Sequence, residues 1–586
     1  MNPLNAVQEL LKTTGLEHAS DCDVGRVAAE AANVLEKSAV LINTALGQSY
    51  RHLLALLNES QPNNCSKLSE SEASKSWGGS LKKRRSLLDA FGRETLRFLD
   101  QHFIPSSIEW LRTELAVEPH GNDSLVELRP RLQAIENVLG TLLSALITRG
   151  WSIESLFMLY RLILLPACAS TMRSSSPYAF GSALDAVCMQ LNACPKPYRV
   201  TFTISNVTKP NQFPEVVGDI EFKANAPELA PKTSDYVKRY ASRGRGTLFA
   251  TTTVEAQDGR MAGSIAGDRI AQVLDVVRFD YERKHIQLAD RFLIEERNRH
   301  ILLQVPGTVP NPDTSLSAVQ LDGFMRRLQD LFSSGTLTPD AKDRIYAAFR
   351  LYRLGADTAN FENKLVNWWT AVEFLVKGSG AAGGGIGAGV EHSLAPTIAL
   401  SYLPKHLTAL REILLAVGIE LLDANGTRLE IKHARLLECY GLLKQEKYAE
   451  QIRAATSSRP FIWSKTVRFL EIAAEQTRLA ETLRNHELRL RWHIQRIYRA
   501  RCDIVHSAQR IVSATLLCAN LEFYLKTVLS SFLEALHRHP TLRSPREFFD
   551  RQEHAYQQIV LDLAKGDDTS LRAILANKDS VSASTA

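Results

Sequence analysis

Apolar residues recur at helical spacing over most of the chain. They do so over residues 24–54 and 80–103, and the pattern returns from Ser317 onward. In the part of the chain after Ser317, one segment carries a broad apolar face, formed by Phe361, Leu365, Trp368, Trp369, Val372 and Val376. Such a wide face is typical of a helix inside a bundle. The pattern therefore predicts a mainly α protein.

One central segment has the period of a strand instead. After Pro195, the apolar residues Tyr198, Val200, Phe202 and Ile204 alternate with polar ones, as in a half-buried strand. Similar runs follow at residues 216–222, 248–254, 292–295 and 300–305. One helix interrupts them, with Ala266, Ile270, Val273, Leu274 and Val277 on one face. This segment predicts a small α+β domain.

These patterns divide the chain of 586 residues into four parts. We expect a helical N-terminal region over residues 1–195, the α+β domain over 196–312, a helical bundle over 313–565, and a disordered tail over 566–586. Residues 308–316 contain two prolines and are the expected linker before the bundle. A glycine-dense stretch over 378–389 matches G-x-G-x-x-G, but it follows a helix and not a strand, which argues against dinucleotide binding.

Composition and targeting signals narrow the class of protein. The chain is 45% hydrophobic and 23% charged with a net charge of +6, which permits an anionic partner. Its eight cysteines are scattered without a CxxC pair, so we expect reduced thiols and no zinc site, metal or cofactor. The start lacks a secretory pattern, and the most apolar run, 156–165, is too short to span a membrane. We expect a cytoplasmic protein.

The least expected residue placement lies in an arginine-rich helix over residues 489–510. Its apolar residues keep a helical period, formed by Ile494, Ile497, Tyr498, Val505 and Ala508. Arg501 falls among them, seven residues after Ile494 and four before Val505. A charge on a buried face is costly unless it is paired or used. Arg501 is therefore a candidate functional residue.

The other side of this helix presents Arg499, Asp503, His506 and Arg510, at the spacings of neighbouring side chains. Arg501 and His506 are five residues apart, or about 140° on an ideal helix. On a straight helix the two cannot point into one site. A shared site requires a kink, a helix end or a second copy of the chain.

The segment RIYRARCDIVHSA, residues 496–508, resembles the motif of HEPN domains, in which an Arg is followed four to six residues later by His. Upstream, FENKLVNWWTAVEFL, residues 361–375, is similar to a helix of Apea-like HEPN domains that carries Phe, Trp, Ala and Glu. After the motif, Leu516, Leu517, Leu521 and Tyr524 resemble that family's closing helix. The resemblance covers residues 315–560. It implies a HEPN-type helical bundle. It also implies a homodimer, because HEPN nucleases typically pair two motifs at a dimer cleft.

The resemblance implies a metal-independent endoribonuclease, a hydrolase that cleaves RNA through its ribose 2′-hydroxyl. His506 would be the general acid or base, since an imidazole exchanges protons near neutral pH. Arg501 would hold the scissile phosphate. Supporting roles are expected as follows: Glu373 pairing with Arg501 or facing solvent, Asp503 orienting His506, Tyr498 and Cys502 within the motif, and Arg496 and Arg499 binding the RNA backbone or forming a solvated face. Antiviral defence or toxin-like growth control, with a regulatory protein partner, is the implied setting.

Cys502 is a departure from the family, which usually has Asn, Asp or His directly after the Arg. A thiol is a poor substitute for a polar group that orients an arginine or a phosphate. Two alternatives therefore stay open: a catalytically inactive HEPN module that binds RNA, nucleotide or protein, and a helical scaffold in which Arg501 belongs to a buried ion pair.

Overall fold

The computed structural model describes most of the chain, and every statement below refers to the described residues. These are residues 2–15, 21–42, 48–58, 81–116, 125–167, 178–207, 210–242, 247–280, 286–296, 298–305, 318–358, 360–377, 385–432, 434–457, 459–507 and 514–583. They form a mainly α protein with a six-stranded antiparallel sheet in its middle third, which confirms the predicted fold class. The expected linker over 308–316 lies outside the described residues, as does most of the glycine-dense stretch.

The chain divides into two compact units. Unit 1 comprises Met1–Glu118 and Ile135–Thr308, and unit 2 comprises Pro119–Ala134 and Val309–Ala586. The α+β segment thus shares a unit with the N-terminal helices. Residues 119–134, which we assigned to the N-terminal region, cluster with unit 2.

Helices make up the first part of unit 1. Tyr50, Phe103 and Leu35 are fully buried in their shared core, and the Tyr50 hydroxyl donates to the Leu35 carbonyl at 2.6 Å. This bond satisfies the hydroxyl inside the core. The helices are α1 (Pro3–Gly15), α2 (Asp21–Ile42), α3 (Gln48–Asn58), α4 (Leu81–Ala116), α5 (Leu125–Thr148, whose residues up to Ala134 cluster with unit 2), α6 (Ile153–Leu159, continued by a π-helical turn at Tyr160–Leu164) and α7 (Tyr178–Leu191).

The predicted strands form one sheet in the order β2-β3-β4-β1-β5-β6, with every pair antiparallel. Tyr198, Val200, Phe202 and Ile204 of β1 are buried, as their alternation predicts. The run over 216–222 is two strands and not one, because Gly218 turns the chain with a φ of 64°. The strands are β1 (Lys196–Ser205), β2 (Val216–Val217), β3 (Ile220–Lys223), β4 (Leu248–Ala256), β5 (Gln287–Glu296) and β6 (Arg299–Gln304).

Two further helices of unit 1 lie between strands in the chain, α8 (Asp235–Ala241) and α9 (Gly259–Asp280). Helix α9 packs closely on the sheet through glycines spaced four residues apart. A Cβ on Gly263 would lie 2.0 Å from the Phe292 ring, and one on Gly259 would lie 2.6 Å from the Ile294 side chain. The same face carries the predicted apolar residues Ala266, Ile270 and Leu274, all buried. The glycines let the helix backbone approach the aromatic side chains of the sheet.

The start of α9 is fixed by a buried carboxylate. Asp258 is 8% exposed and accepts hydrogen bonds from the backbone N–H groups of Arg260 and Met261 at 2.9 and 3.0 Å. It also accepts from the N–H and hydroxyl of Ser152, which precedes α6. An aspartate at this position satisfies helix N–H groups that lack an intrahelical partner. Asp258 therefore joins the helical and α+β parts of unit 1.

Unit 2 is a helical bundle. A two-stranded hairpin, β7 (Leu421–Leu422) with β8 (Arg428–Leu429), interrupts it; the sequence pattern did not predict this element. The helices are α10 (Ala318–Ser333), α11 (Pro339–Asp357), α12 (Phe361–Val376), α13 (Ile386–Ala399), α14 (Tyr402–Val417), α15 (Leu436–Leu443), α16 (Glu446–Thr456), α17 (Pro460–Ala474), α18 (Gln476–Ser507), α19 (Ala514–Arg538), α20 (Pro545–Ala564) and α21 (Thr569–Ala583).

Helix α12 lies at the centre of this bundle. It packs against α11, α13, α18, α19 and α20. Trp368 and Trp369 are at most 1% exposed, and Leu365, Val372 and Val376 of the predicted face are also buried. Two neighbouring tryptophans cannot both face one partner, so α12 needs helices on several sides.

The prediction of a disordered tail over 566–586 is wrong for most of this segment. Residues 569–583 form α21, and Leu571 and Leu575 are buried in the core of the bundle. Asp568, just before the helix, accepts hydrogen bonds from Lys444 at 2.6 Å and from the Tyr440 hydroxyl at 3.2 Å. The polar end of the sequence hid the two leucines, four residues apart, that hold this helix against the bundle.

One described helix, α19, is long and apolar enough to cross a membrane. Of its most apolar window, 56% is buried inside the protein. Core helices of soluble proteins share this property, and the structure is compatible with a soluble protein.

We predict that Gly263→Ala destabilises the protein by about 1–3 kcal/mol, because the new methyl group overlaps the Phe292 ring. The matched control is Gly140→Ala in α5, where a Cβ meets no atom within 4 Å. There the substitution should stabilise by about 0.5–1 kcal/mol through helix propensity. Urea unfolding followed by circular dichroism measures both. An equal rise of the two midpoints would contradict the close packing of α9 on the sheet.

Candidate functional site

All the predicted site residues except Glu373 lie in the last four turns of α18. This helix runs continuously from Gln476 to Ser507. Ile494, Ile497 and Ala500 are buried against the core, which confirms the apolar face up to this point. Val505 departs from it, since its side chain is 47% exposed. Ile504 takes its place on the apolar face and packs against the core. Ala508 lies outside the described residues.

Arg501 sits at the edge of the core. Its side chain is 21% exposed, and its Nη2 atom lies 3.7 Å from Oε2 of Glu373 on α12. The expected partner is therefore the one observed. The contact is too long for a hydrogen bond. Within the described part of the chain the buried Arg501 Nε atom has no hydrogen-bond partner.

Glu373 is held from the other side by the core. Its Oε1 atom accepts a hydrogen bond from the Trp369 indole N–H at 2.6 Å. Trp369 is fully buried, so its indole needs an acceptor inside the bundle. Glu373 serves both groups: it satisfies the tryptophan and supplies the negative charge that faces Arg501.

Tyr498 lies on α18 one helical turn before Arg501. Its ring centroid lies 5.6 Å from that of Trp369, and a Cβ on Gly387 of α13 would be 2.5 Å from the Tyr498 ring. Burial, and to a smaller extent the neighbouring Cys502 thiol, raise the pKa of Tyr498 above its ordinary value. Tyr498 and Cys502 thus form a pair beside the arginine.

His506 is exposed on the final turn of α18. The helix does not end between Arg501 and His506, so the two side chains leave it about 140° apart. Within one copy of the chain, the geometry does not join them into one site. Asp503, half-buried, lies one turn before His506 as expected.

The two arginines predicted to bind RNA are both half-buried. Arg496 lies near Tyr524 of α19. Burial raises the pKa of Tyr524, and the positive charge of Arg496 lowers it in part. Tyr524 in turn hydrogen-bonds Nδ1 of His493 at 3.0 Å. Their binding of RNA stays a prediction.

A buried charge network earlier in α18 escaped the sequence reasoning. Glu391 of α13 is 5% exposed and accepts hydrogen bonds from Arg491, at 3.1 Å, and from Gln495. Arg491 also pairs with Glu487, one turn before it. No role was predicted for Arg491 from the sequence. Arg491 compensates a buried carboxylate and fixes α18 against α13.

Among the described residues, no group of three or more His, Cys, Asp or Glu side chains is arranged to hold a metal ion. The arrangement at Arg501 offers a half-buried cation whose Nε donor is free within the described residues, and a nearby carboxylate. Comparisons of the chain with models of protein families, with characterised proteins and with solved structures gave no match.

We predict a measurable coupling between Arg501 and Glu373. In a double-mutant cycle of Arg501→Gln and Glu373→Gln, the coupling free energy of unfolding should be about 1 kcal/mol, because both side chains are mostly buried. The exposed pair Arg353–Asp357, at 3.1 Å, is the control and should couple by less than about 0.5 kcal/mol. Equal couplings for the two pairs would show that Arg501 is solvated and not held by Glu373.

Proposed function

We propose that the protein is a cytoplasmic, metal-independent endoribonuclease in which Arg501 and His506 carry the reaction. The observation that supports this most is the state of Arg501. Its guanidinium is positioned at the core edge by a long ion pair to Glu373, yet its buried Nε atom makes no hydrogen bond within the described residues. A purely structural buried arginine is normally fully hydrogen-bonded. Arg501 has donors left for an anionic ligand.

The proposed chemistry needs only side chains of the protein and solvent water. The ribose 2′-oxygen attacks the phosphorus, the bond from phosphorus to the 5′-oxygen breaks, and the products are a 2′,3′-cyclic phosphate and a 5′-hydroxyl. His506 carries out one of the two proton transfers, removal of the 2′-hydroxyl proton or protonation of the leaving 5′-oxygen, and water carries out the other. Arg501 binds the phosphate and stabilises the charge that develops on its oxygens.

The geometry of α18 supports a site shared between two copies of the chain. Arg501 and His506 diverge on one helix, so a second α18 must supply the missing partner. Exposed apolar side chains occur beside the motif: Phe374 follows Glu373, Ile386 begins the helix that packs on Tyr498, and Val505 precedes His506. Such side chains fit a surface that is covered in a homodimer.

Cys502 favours the second candidate, an inactive module that binds RNA, nucleotide or a protein partner. Its thiol lies beside the Tyr498 hydroxyl. It occupies the position next to the arginine where the family has a polar residue. The third candidate is a helical scaffold, and the observation that favours it is the Arg501–Glu373 ion pair.

The proposed setting is antiviral defence or toxin-like growth control. It is carried over from the HEPN resemblance of residues 496–508. Unit 1 would then recognise a trigger, a substrate or a regulatory protein partner, because the proposed chemistry lies wholly in unit 2.

We predict that the purified full chain cleaves mixed RNA in excess EDTA and leaves cyclic phosphate ends. Arg501→Ala and His506→Ala should each lower the rate by a factor of about 100 or more, since each removes a group that acts in the transition state. Arg546→Ala and His539→Ala, both exposed and remote in sequence from the motif, are the controls and should cleave like the wild type.

Cleavage that requires a divalent metal, or that survives both substitutions, would overturn the proposed mechanism. RNA retention without cleavage by the wild type would favour the inactive module. Expression toxicity that vanishes with His506→Ala is a second readout for an enzyme that needs a trigger.

A further inference from the structure

A cluster of aromatic rings lies on the surface of unit 2, earlier along α18 than the motif. Tyr402 and His406 of α14 have ring centroids 4.3 Å apart, and Tyr402 lies 4.7 Å from His486 of α18. The His406 ring stacks on Phe469 of α17, with centroids 6.0 Å apart and an interplanar angle of 26°. Three helices thus contribute to one continuous set of rings, of which His406 is exposed and the others are half-buried.

Three exposed cations surround these rings: Lys405, Arg468 and Arg489. Each is adjacent to a ring in sequence or one helical turn from it, which explains their placement. Within the described residues none of them pairs with a carboxylate. Lys405 lies over the Phe523 ring at 4.3 Å, and Arg468 donates to the neutral amide of Gln133 at 2.8 Å. Among the described residues, no ion pair therefore neutralises these three positive charges.

Burial and the nearby positive charges lower the pKa of both histidines. Burial, together with His406, Arg489 and Lys405, lowers the pKa of His486 to about 4. Partial burial and the charges of Lys405 and Arg468 also lower the pKa of His406. At neutral pH both rings are uncharged, so they are flat aromatic surfaces beside cations. This combination is what a single-stranded nucleic acid needs: stacking for bases and positive charge for phosphates.

We propose that Tyr402, His406, Phe469 and His486, with Lys405, Arg468 and Arg489, form a binding surface for single-stranded RNA. We call it the stacking patch. It rests on the proposed function only in naming RNA as the polymer. Arg489 precedes Arg501 by twelve residues on the same helix, or about 18 Å along its axis. The patch therefore holds the substrate several nucleotides away from the bond that is cleaved.

The test measures binding separately from cleavage. The full chain carrying His506→Ala is titrated into a fluorescein-labelled, mixed-sequence 20-nucleotide RNA in EDTA at several salt concentrations, and anisotropy is recorded. In this background, His406→Ala should weaken binding about fivefold or more, and His406→Phe should restore it, because stacking needs a ring.

Arg489→Gln should weaken binding about threefold and lower the salt slope by about 0.7, the value for one phosphate contact on a single strand. The control Arg546→Gln removes an equal charge from an exposed arginine on α20 and should leave affinity unchanged.

Equal affinities in all four variants would overturn the stacking patch. So would a loss with Arg489→Gln but none with His406→Ala, because the surface would then be a charged contact without stacking. Competition by polyglutamate equal to that by unlabelled RNA would assign the surface to an acidic protein partner and overturn the proposal. An inert wild type that still binds through the patch would instead sink only the proposed cleavage.

Discussion

The burial of helix α12 is the constraint on which the bundle depends. Trp368 and Trp369 face different sides of this helix, and both are buried, so other helices must surround it. A buried indole N–H needs an acceptor, and Trp369 finds one in Glu373. A carboxylate at the core edge in turn favours a nearby cation, and Arg501 of α18 supplies it. The candidate site is thus a consequence of how the core satisfies its own polar groups.

Periodicity was enough to predict the main elements of the fold. The alternation in β1 and the wide apolar face of α12 each have one physical solution, a half-buried strand and an interior helix. The strand order and the assignment of residues 119–134 to unit 2 depend on contacts between distant segments, which no local pattern encodes. Helix α21 was missed because only two apolar residues, Leu571 and Leu575, hold it to the core.

The candidate residues were chosen from the sequence for two reasons. Arg501 was chosen because a charge stood on an apolar face, and Glu373 because its helix was expected to pack against the helix of the motif. Val505 was wrongly assigned to the buried face, since its neighbour Ile504 packs against the core and leaves Val505 exposed. The Glu391 network and the stacking patch were missed, because their members come from helices far apart in the sequence.

The central claim is that Arg501 of one copy acts with His506 of another. It is tested most directly by mixing two inactive variants, Arg501→Ala and His506→Ala, after joint unfolding and refolding, and by measuring RNA cleavage in EDTA. In a twofold dimer, half of the dimers are mixed, and each mixed dimer has one intact composite site. The account predicts that cleavage returns to about a quarter of the wild-type rate. A mixture as inactive as either variant alone, from a wild type that cleaves after the same treatment, would contradict it.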